Sequence, residues 1–135
     1  MSGETDLNTM LGGLNPSLQA PVYVFCTVQG GRYGDLTHTH PVACMTEPEG
    51  LTLVVTKESA DQEGLAYQGT FRCIRLGVHS SLEAVGLTAA VSKALASQAI
   101  SANMIAGYYH DHVFVPSAHA DEALQLLRSL EALPV

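Results

Sequence analysis

Apolar positions recur with two different periods along the chain. Leu7, Met10, Leu11 and Leu14 fall at helical spacing, with Thr5 or Asp6 placed to cap them and Asn15-Pro16 to stop them. That pattern predicts a short helix over Asp6–Leu14. Val22–Val28 (VYVFCTV) is β-branched and aromatic and reads as a strand, broken by Gly30-Gly31. Gly31–Pro41 shows no period and reads as a loop. Val42–Thr46 and Leu51–Thr56 flank Glu47-Pro48-Glu49-Gly50, which is a hairpin signature. Glu58–Leu65 follows as a brief helix with acidic residues near its start.

The second half is clearer. Phe71–Val78 (FRCIRLGV) alternates, with Ile74, Leu76 and Val78 on one face and Phe71, Cys73 and Arg75 on the other. Within Leu82–Gln98, the residues Leu87, Val91, Ala94, Leu95 and Gln98 make the later part an amphipathic helix. Ser101–Gly107 and His112–Pro116 read as two strands around Tyr108-Tyr109-His110-Asp111. Ala118–Leu130 closes with an apolar stripe of Ala120, Ala123, Leu124, Leu127 and Leu130. Ser117 stands as its cap, Asp121 and Glu122 lie in its first turn, and Arg128 lies near its last. The order β-α-β-β-α is most of a ferredoxin-like unit, an α+β fold with helices on one face of an antiparallel sheet. Leu133-Pro134-Val135 is too brief to assign as a final strand.

The two halves also match each other. At one constant offset Leu53 meets Val113, Val54 meets Phe114, Val55 meets Val115, Ala60 meets Ala120 and Asp61 meets Asp121. In both places a strand runs into a helix carrying Ala-Asp. The stretch from Val78 to His112 has room for a helix and a strand, whereas the stretch from Val28 to Leu51 is shorter. The reading is therefore a tandem repeat of half-repeats 1–68 and 69–135, the first with its first helix shortened or lost. The initial helix at Asp6–Leu14 is the element expected to cover the face left bare.

Composition narrows the function classes. Of 135 residues, 47% are hydrophobic and 14% charged, so the chain has enough apolar material to fold and too little charge for disorder. The low charged fraction also points to a partner subunit covering apolar surface. A formal net charge of −7 repels nucleic acid. The start lacks the cationic residues of a signal peptide, and no apolar run approaches the ~18 residues of a membrane span. Residence in the cytoplasm is the expectation, with no membrane partner. The three cysteines, Cys26, Cys44 and Cys73, form no CxxC and no disulfide framework. Cys26 and Cys73 fall in strands as small core residues.

Catalytic chemistry finds little support. His38 and His40 precede Cys44, and His110 and His112 flank Asp111, but neither spacing is that of a zinc site, which takes about four ligands. No metal and no other cofactor is expected. Asp111 reads as a turn residue. Gly12-Gly13 and Gly30-Gly31 lack the helix and lysine of a phosphate loop. No catalytic residue is assigned, and an enzyme is not expected.

The stretches His79–Gly86 (HSSLEAVG), Ile100-Ser101-Ala102-Asn103 and Tyr109–Pro116 (YHDHVFVP) resemble the ACT superfamily. Together with Tyr23-Val24-Phe25-Cys26 and Glu49–Val55, they resemble more closely the small bacterial ACT-domain proteins described only as of unknown function. The similarity spans nearly the whole chain. It implies a tandem pair of ACT-like folds acting as a regulatory module. It also implies an amino acid or similar carboxylate bound at a domain or subunit interface, in a homo-oligomer such as a dimer. Carried over residue by residue, the implied ligand site takes Ser80, Ser81, Leu82, Glu83, Val85, Gly86 and Leu87 from the loop and helix start. It takes Ile100, Ser101, Asn103 and Met104 from the facing strand.

The residues are compatible with that role. A strand ending at Val78 and feeding a helix leaves backbone N–H groups free for a carboxylate. Ser80 and Ser81 cap the helix or offer hydroxyls, Glu83 falls where a capping box puts an acid, and Gly86 lets a ligand approach. Many amino-acid-binding ACT domains carry Asp or Asn before Pro-Gly in this loop, where this chain has Ser-Ser-Leu-Glu, so ligand preference does not transfer. The alternative function is a protein–protein interaction module with no small ligand.

Overall fold

In a computed structural model the described residues are 3–131. The elements run α1 (Leu7–Gly12), β1 (Pro16–Gln29), β2 (Ala43–Glu47), β3 (Gly50–Thr56), α2 (Lys57–Glu63), β4 (Phe71–Leu76), α3 (Leu87–Ala96), β5 (Asn103–Ala106), β6 (Asp111–Pro116) and α4 (Ala120–Glu131). Short 3-10 turns occupy Thr37–Thr39 and Ser117–His119. The described residues form two compact units, one of residues 21–71 and the other of residues 3–20 with 72–131. The expected strand at Leu133-Pro134-Val135 lies outside the described residues.

In the 21–71 unit the hydrogen-bonded order is β2-β3-β1. β1 and β3 are antiparallel, with Val24 opposite Val55 and Cys26 opposite Leu53, and β2 and β3 form the expected hairpin with Glu47 opposite Gly50. Directly opposed residues share a face. Val24, Cys26, Leu51, Leu53 and Val55 are therefore buried together, with Ala60 of α2 packed on them. Thr56 starts α2 by accepting the Ser59 amide on its hydroxyl at 3.1 Å. Gly64 ends the helix in the left-handed region that glycine adopts without cost. Residues 30–42 carry no α-helix. Leu36 and His40 flank the 3-10 turn there with φ of 57° and 52°. Thr39 is buried between them, its hydroxyl donating to the Leu36 carbonyl at 2.7 Å. His38 pairs with Glu63 at the end of α2.

In the other unit the order is β1-β4-β6-β5. Its sequential elements β4-α3-β5-β6-α4 follow the pattern read from the sequence. Next to β4 lies the beginning of β1, which starts at Pro16, earlier than the expected Val22. Arg72 of β4 fixes that neighbour by donating from Nε and one terminal nitrogen to the Gln19 carbonyl, at 3.0 and 2.8 Å. Ile74 and Leu76, Val113 and Val115, Leu87, Val91 and Leu95, and Ala120, Ala123 and Leu127 bury one another. The helical residues among them make up most of the stripes predicted for α3 and α4; Gln98 lies exposed beyond the end of α3, and Ala94, Leu124 and Leu130 are half-buried.

One expectation is overturned. Helix α1 does not cover a bare face of the first half-repeat. Its Met10, with Leu14 just after it, sits in the core of the second unit, and α1 packs against α3 and α4. The physical reason is that Met10 and Leu14 lose all exposure to water by packing with the apolar faces of α3 and α4.

Candidate functional site

The segment between β4 and α3 is the longest non-repetitive stretch of the second unit. Gly77 and Val78 continue from β4 and donate their amides to the carbonyls of Asn15 and Leu14, at 3.0 and 3.3 Å. The chain then turns at Ser81, whose carbonyl accepts the Ala84 amide at 3.0 Å and whose hydroxyl accepts the Glu83 amide at 3.1 Å. The N-terminal segment runs beside it. The Glu4 amide donates to the His79 carbonyl at 2.7 Å, and the Ser81 amide donates to the Glu4 carbonyl at 2.8 Å. Glu4 and Ser80 thus form a parallel bridge.

Three expectations about this loop are corrected. Ser80 and Ser81 do not cap α3, because the helix begins at Leu87 with Gly86 in the N-cap position at φ 104°. Glu83 makes no capping box, since it lies in the turn before the helix rather than in its first turn. The unpaired helix-start amides are not at Ser80–Ser81 either, where the Ser81 amide is already bonded to Glu4. Gly86 serves the backbone: its φ is one L-residues rarely adopt, and an added Cβ would come within 3.2 Å of Leu7. A bulky residue there would disturb the start of α3 as well as any ligand, so Gly86 is a poor position for probing binding.

Two shallow hollows open on this loop. One, of about 150 Å³, brings together Ser80, Ser81, Leu82, Gly86 and Leu87 with Thr88, Ala106 and Asp111. The other, of about 170 Å³, is bounded by Gly3, His79, Ser80, Ser81, Leu82, Glu83 and Tyr108. Val85 lines neither and is 83% exposed. The facing-strand residues are placed differently. Ile100 is buried in the core, Met104 packs against that core, Ser101 and Asn103 are exposed, and none of the four lines either of these two hollows. The reason is geometric: β5 starts at Asn103, and its far end at Ala106, with the beginning of β6, is what reaches the loop.

Residues beside the loop that were not among those expected include Gly3, Glu4, His79, Thr88, Ala106, Tyr108 and Asp111. Asp111, expected as a turn residue, also accepts the Ser80 hydroxyl on its carboxylate at 3.3 Å across the hollow. Nothing in the sequence spacing joins Ser80 to Asp111. Beside them the Tyr109 ring packs 5.1 Å from His79 and 5.0 Å from Tyr108, both centroid distances. Neither hollow is lined by Lys or Arg. Among the described residues no group of three His, Cys, Asp or Glu is placed to hold a metal ion. No described helix is long and apolar enough to cross a membrane. Elsewhere, burial pushes the Cys73 thiol up to about 11 and raises that of Cys26, which holds both in the unreactive thiol form.

Two family models, each described as an ACT domain, match residues 2–72 and 68–129. The chain belongs to the ACT domain family. Among solved structures it is similar to a Vibrio cholerae protein of unknown function described as a possible transport protein. That similarity is 50% identity over 93% of this chain and 95% of that one, with a TM-score of 0.85. A protein from Agrobacterium tumefaciens is similar at 14% identity over 86% of this chain and 87% of that one, with a TM-score of 0.71. The regulatory subunit of aspartate kinase from Thermus thermophilus shares the fold at 10% identity, over 91% of this chain and 99% of that one, with a TM-score of 0.65. Comparison with curated proteins gave no match. The fold is thus the α+β, ferredoxin-like ACT type in tandem, and ACT domains are typically regulatory modules for small molecules.

Proposed function

We propose that this ACT protein is a regulatory module that binds an amino acid or similar small carboxylate at the β4–α3 loop, works as a homodimer in the cytoplasm, and is not an enzyme. In this reading residues 1–68 and 69–135 are the two half-repeats, the first short of a helix. The observation that carries the ligand assignment is the hollow in which Ser80, Ser81, Leu82, Gly86 and Leu87 meet Asp111. An amino acid carries one group of each sign. The Asp111 carboxylate suits its ammonium, and the hydroxyls of Ser80, Ser81 and Thr88 suit its carboxylate. At about 150 Å³ the hollow is smaller than the roughly 300–1,000 Å³ of drug-sized sites, in keeping with a small metabolite.

A thermal-shift screen against the proteinogenic amino acids tests this. A ligand at a hundredfold excess over its Kd raises apparent stability by about 2.7 kcal/mol. Asp111→Asn should weaken that response while leaving the unliganded melting point nearly unchanged. If no amino acid shifts the wild-type protein, the reading is wrong. A specific observation then favours the second reading, a partner-binding module. Leu82, Val85, Tyr108 and Tyr109 are all large and exposed on or beside this loop.

A further inference from the structure

The β4–α3 loop does not present its backbone freely, because the chain's own N-terminal segment lies on it. The Glu4 carbonyl accepts the Ser81 amide at 2.8 Å, and the Glu4 amide donates to the His79 carbonyl at 2.7 Å. Gly3 lies so close that a Cβ would stand 2.5 Å from the Ser80 carbonyl carbon, 2.6 Å from the Ser81 nitrogen and 2.7 Å from the His79 oxygen. All three are backbone atoms that no side-chain rotation can move aside. The Glu4 carboxylate folds back on its own chain and accepts the amides of Thr5 and Asp6, at 3.1 and 3.0 Å. Asp6 in turn caps α1 through the Thr9 amide at 2.9 Å. The segment is therefore tied to α1 at one end and to the loop at the other.

We propose that Gly3–Asp6 is an autoinhibitory strap that competes with ligand for this loop, an inference that rests on the loop being the ligand site. The strap places a carbonyl where an incoming carboxylate would seek the Ser81 amide. Through Gly3 it also walls the second hollow, of about 170 Å³, which shares Ser80, Ser81 and Leu82 with the hollow that holds Asp111. Its hold is light. Among the described residues a single bridge of two hydrogen bonds joins it to the loop, Gly3 and Glu4 are half-buried, Thr5 and Asp6 are exposed, and no strap residue belongs to the buried core. Contacts of that kind open first in a folded protein. When the strap lifts, the Ser81 amide and the His79 carbonyl become a free donor and acceptor beside Ser80, and the second hollow opens toward the first. A site competent only in the lifted state binds with an apparent affinity lowered by the fraction lifted.

Two substitutions lift the strap by different routes, and neither touches the core. Gly3→Val inserts a side chain where the loop backbone leaves no room. Glu4→Pro removes the amide that bonds His79. Amide exchange on the full chain, without ligand, should show the Ser81 amide protected in the wild type. It should exchange about tenfold faster or more in both variants, with Val91 in α3 and Leu127 in α4 unchanged. Thermal-shift titration with each proteinogenic amino acid should then reach its midpoint at roughly tenfold lower concentration in the variants, or show a response only there. Unaltered Ser81 exchange in both variants would overturn the strap. So would faster exchange with an equal or higher midpoint, although the ligand site would stand if the wild type still responded. If neither wild type nor variants respond to any amino acid, the ligand site and the strap fall together.

Discussion

The two compact units carry the same strand-into-helix junction and differ in what lies before it. Val55 and Val115 are both fully buried at the end of a strand, and Ala60 and Ala120 are both buried in the helix that follows. Upstream they diverge. The second unit has α3 between its first strand and its hairpin, and adds α1, so Leu87, Val91, Leu95, Met10 and Leu14 join its core. The 21–71 unit has residues 30–42 in that place, held by a 3-10 turn with left-handed Leu36 and His40 at its ends. Its core cluster holds only β1, β3 and α2 residues, with Leu36, Leu65 and Tyr67 packed on its margin. The hairpin and its helix thus hold as a junction in both units, whereas the element between first strand and hairpin is replaceable. A repeat can trade its helix for a loop where enough apolar area is still covered by the rest.

Core truncation should produce the largest effect and is the most direct way to break this comparison. Leu95→Ala in α3 and Leu53→Ala in β3 each remove a buried side chain and should cost about 2–5 kcal/mol in urea denaturation. Leu53 lies in the unit with the looser cover, which collapses more readily around a cavity, so its loss should fall toward the lower end. A larger cost at Leu53 than at Leu95 would mean that the loop packs as tightly as the helix does.

Glycine substitutions come next and sharpen the contrast in backbone. Gly50 opens β3 at φ 154°, and a Cβ there would stand 2.3 Å from the Val28 carbonyl oxygen. Gly50→Ala should cost at least about 1–3 kcal/mol through strain alone. Gly12, in α1, has nothing within 4 Å of its would-be Cβ, so Gly12→Ala should instead stabilise by roughly 0.5–1 kcal/mol. Melting points of the two variants decide this, and a change of the same sign in both would contradict it.

The smallest effect is in acid. Asp6 in the second unit is held below its ordinary value of 3.8, chiefly by the bond from the Thr9 amide. Asp61 in the 21–71 unit is also held below 3.8, first by the bond from Lys57 and then by that from Tyr67. A carboxyl depressed in the folded state is bound more tightly by protons when unfolded. Each group therefore lends stability above its unfolded value, and that contribution drains away as pH falls below about 4 through the folded value. Asp6→Asn and Asp61→Asn should each flatten the fall of melting point between pH 5 and pH 3, at about the scale of exposed pairs. An unchanged slope in both would show that other carboxylates govern the acid limb.

The fold was largely legible because its periods are strong and local. The alternation of Leu53, Val54 and Val55 against Val113, Phe114 and Val115, and the stripe of α4, follow from which side chains must leave water. The boundaries of β1 were less so. Pro16–Pro21 carries two prolines and polar residues, and its strand form depends on β4 lying alongside, with Arg72 bonded to Gln19. The site was legible only in part. Ser80, Ser81, Leu82, Gly86 and Leu87 line one hollow, but Glu4 and Asp111, which touch Ser81 and Ser80, lie far from them in sequence, and the motif that holds Asp111 says nothing of which loop it meets.

The sequence by itself determined which segments are helix and strand, the tandem ACT pattern and the loop after β4, since these follow from local periodicity, turn residues and recognisable motifs. Tertiary structure alone decided that α1 joins the second unit, that the start of β1 lies beside β4, and that Gly3–Asp6 rests on the loop. Each of those rests on contacts between residues remote along the chain. Which apolar groove takes Met10, and which free amide meets the Glu4 carbonyl, depends on the shape the other elements have already made.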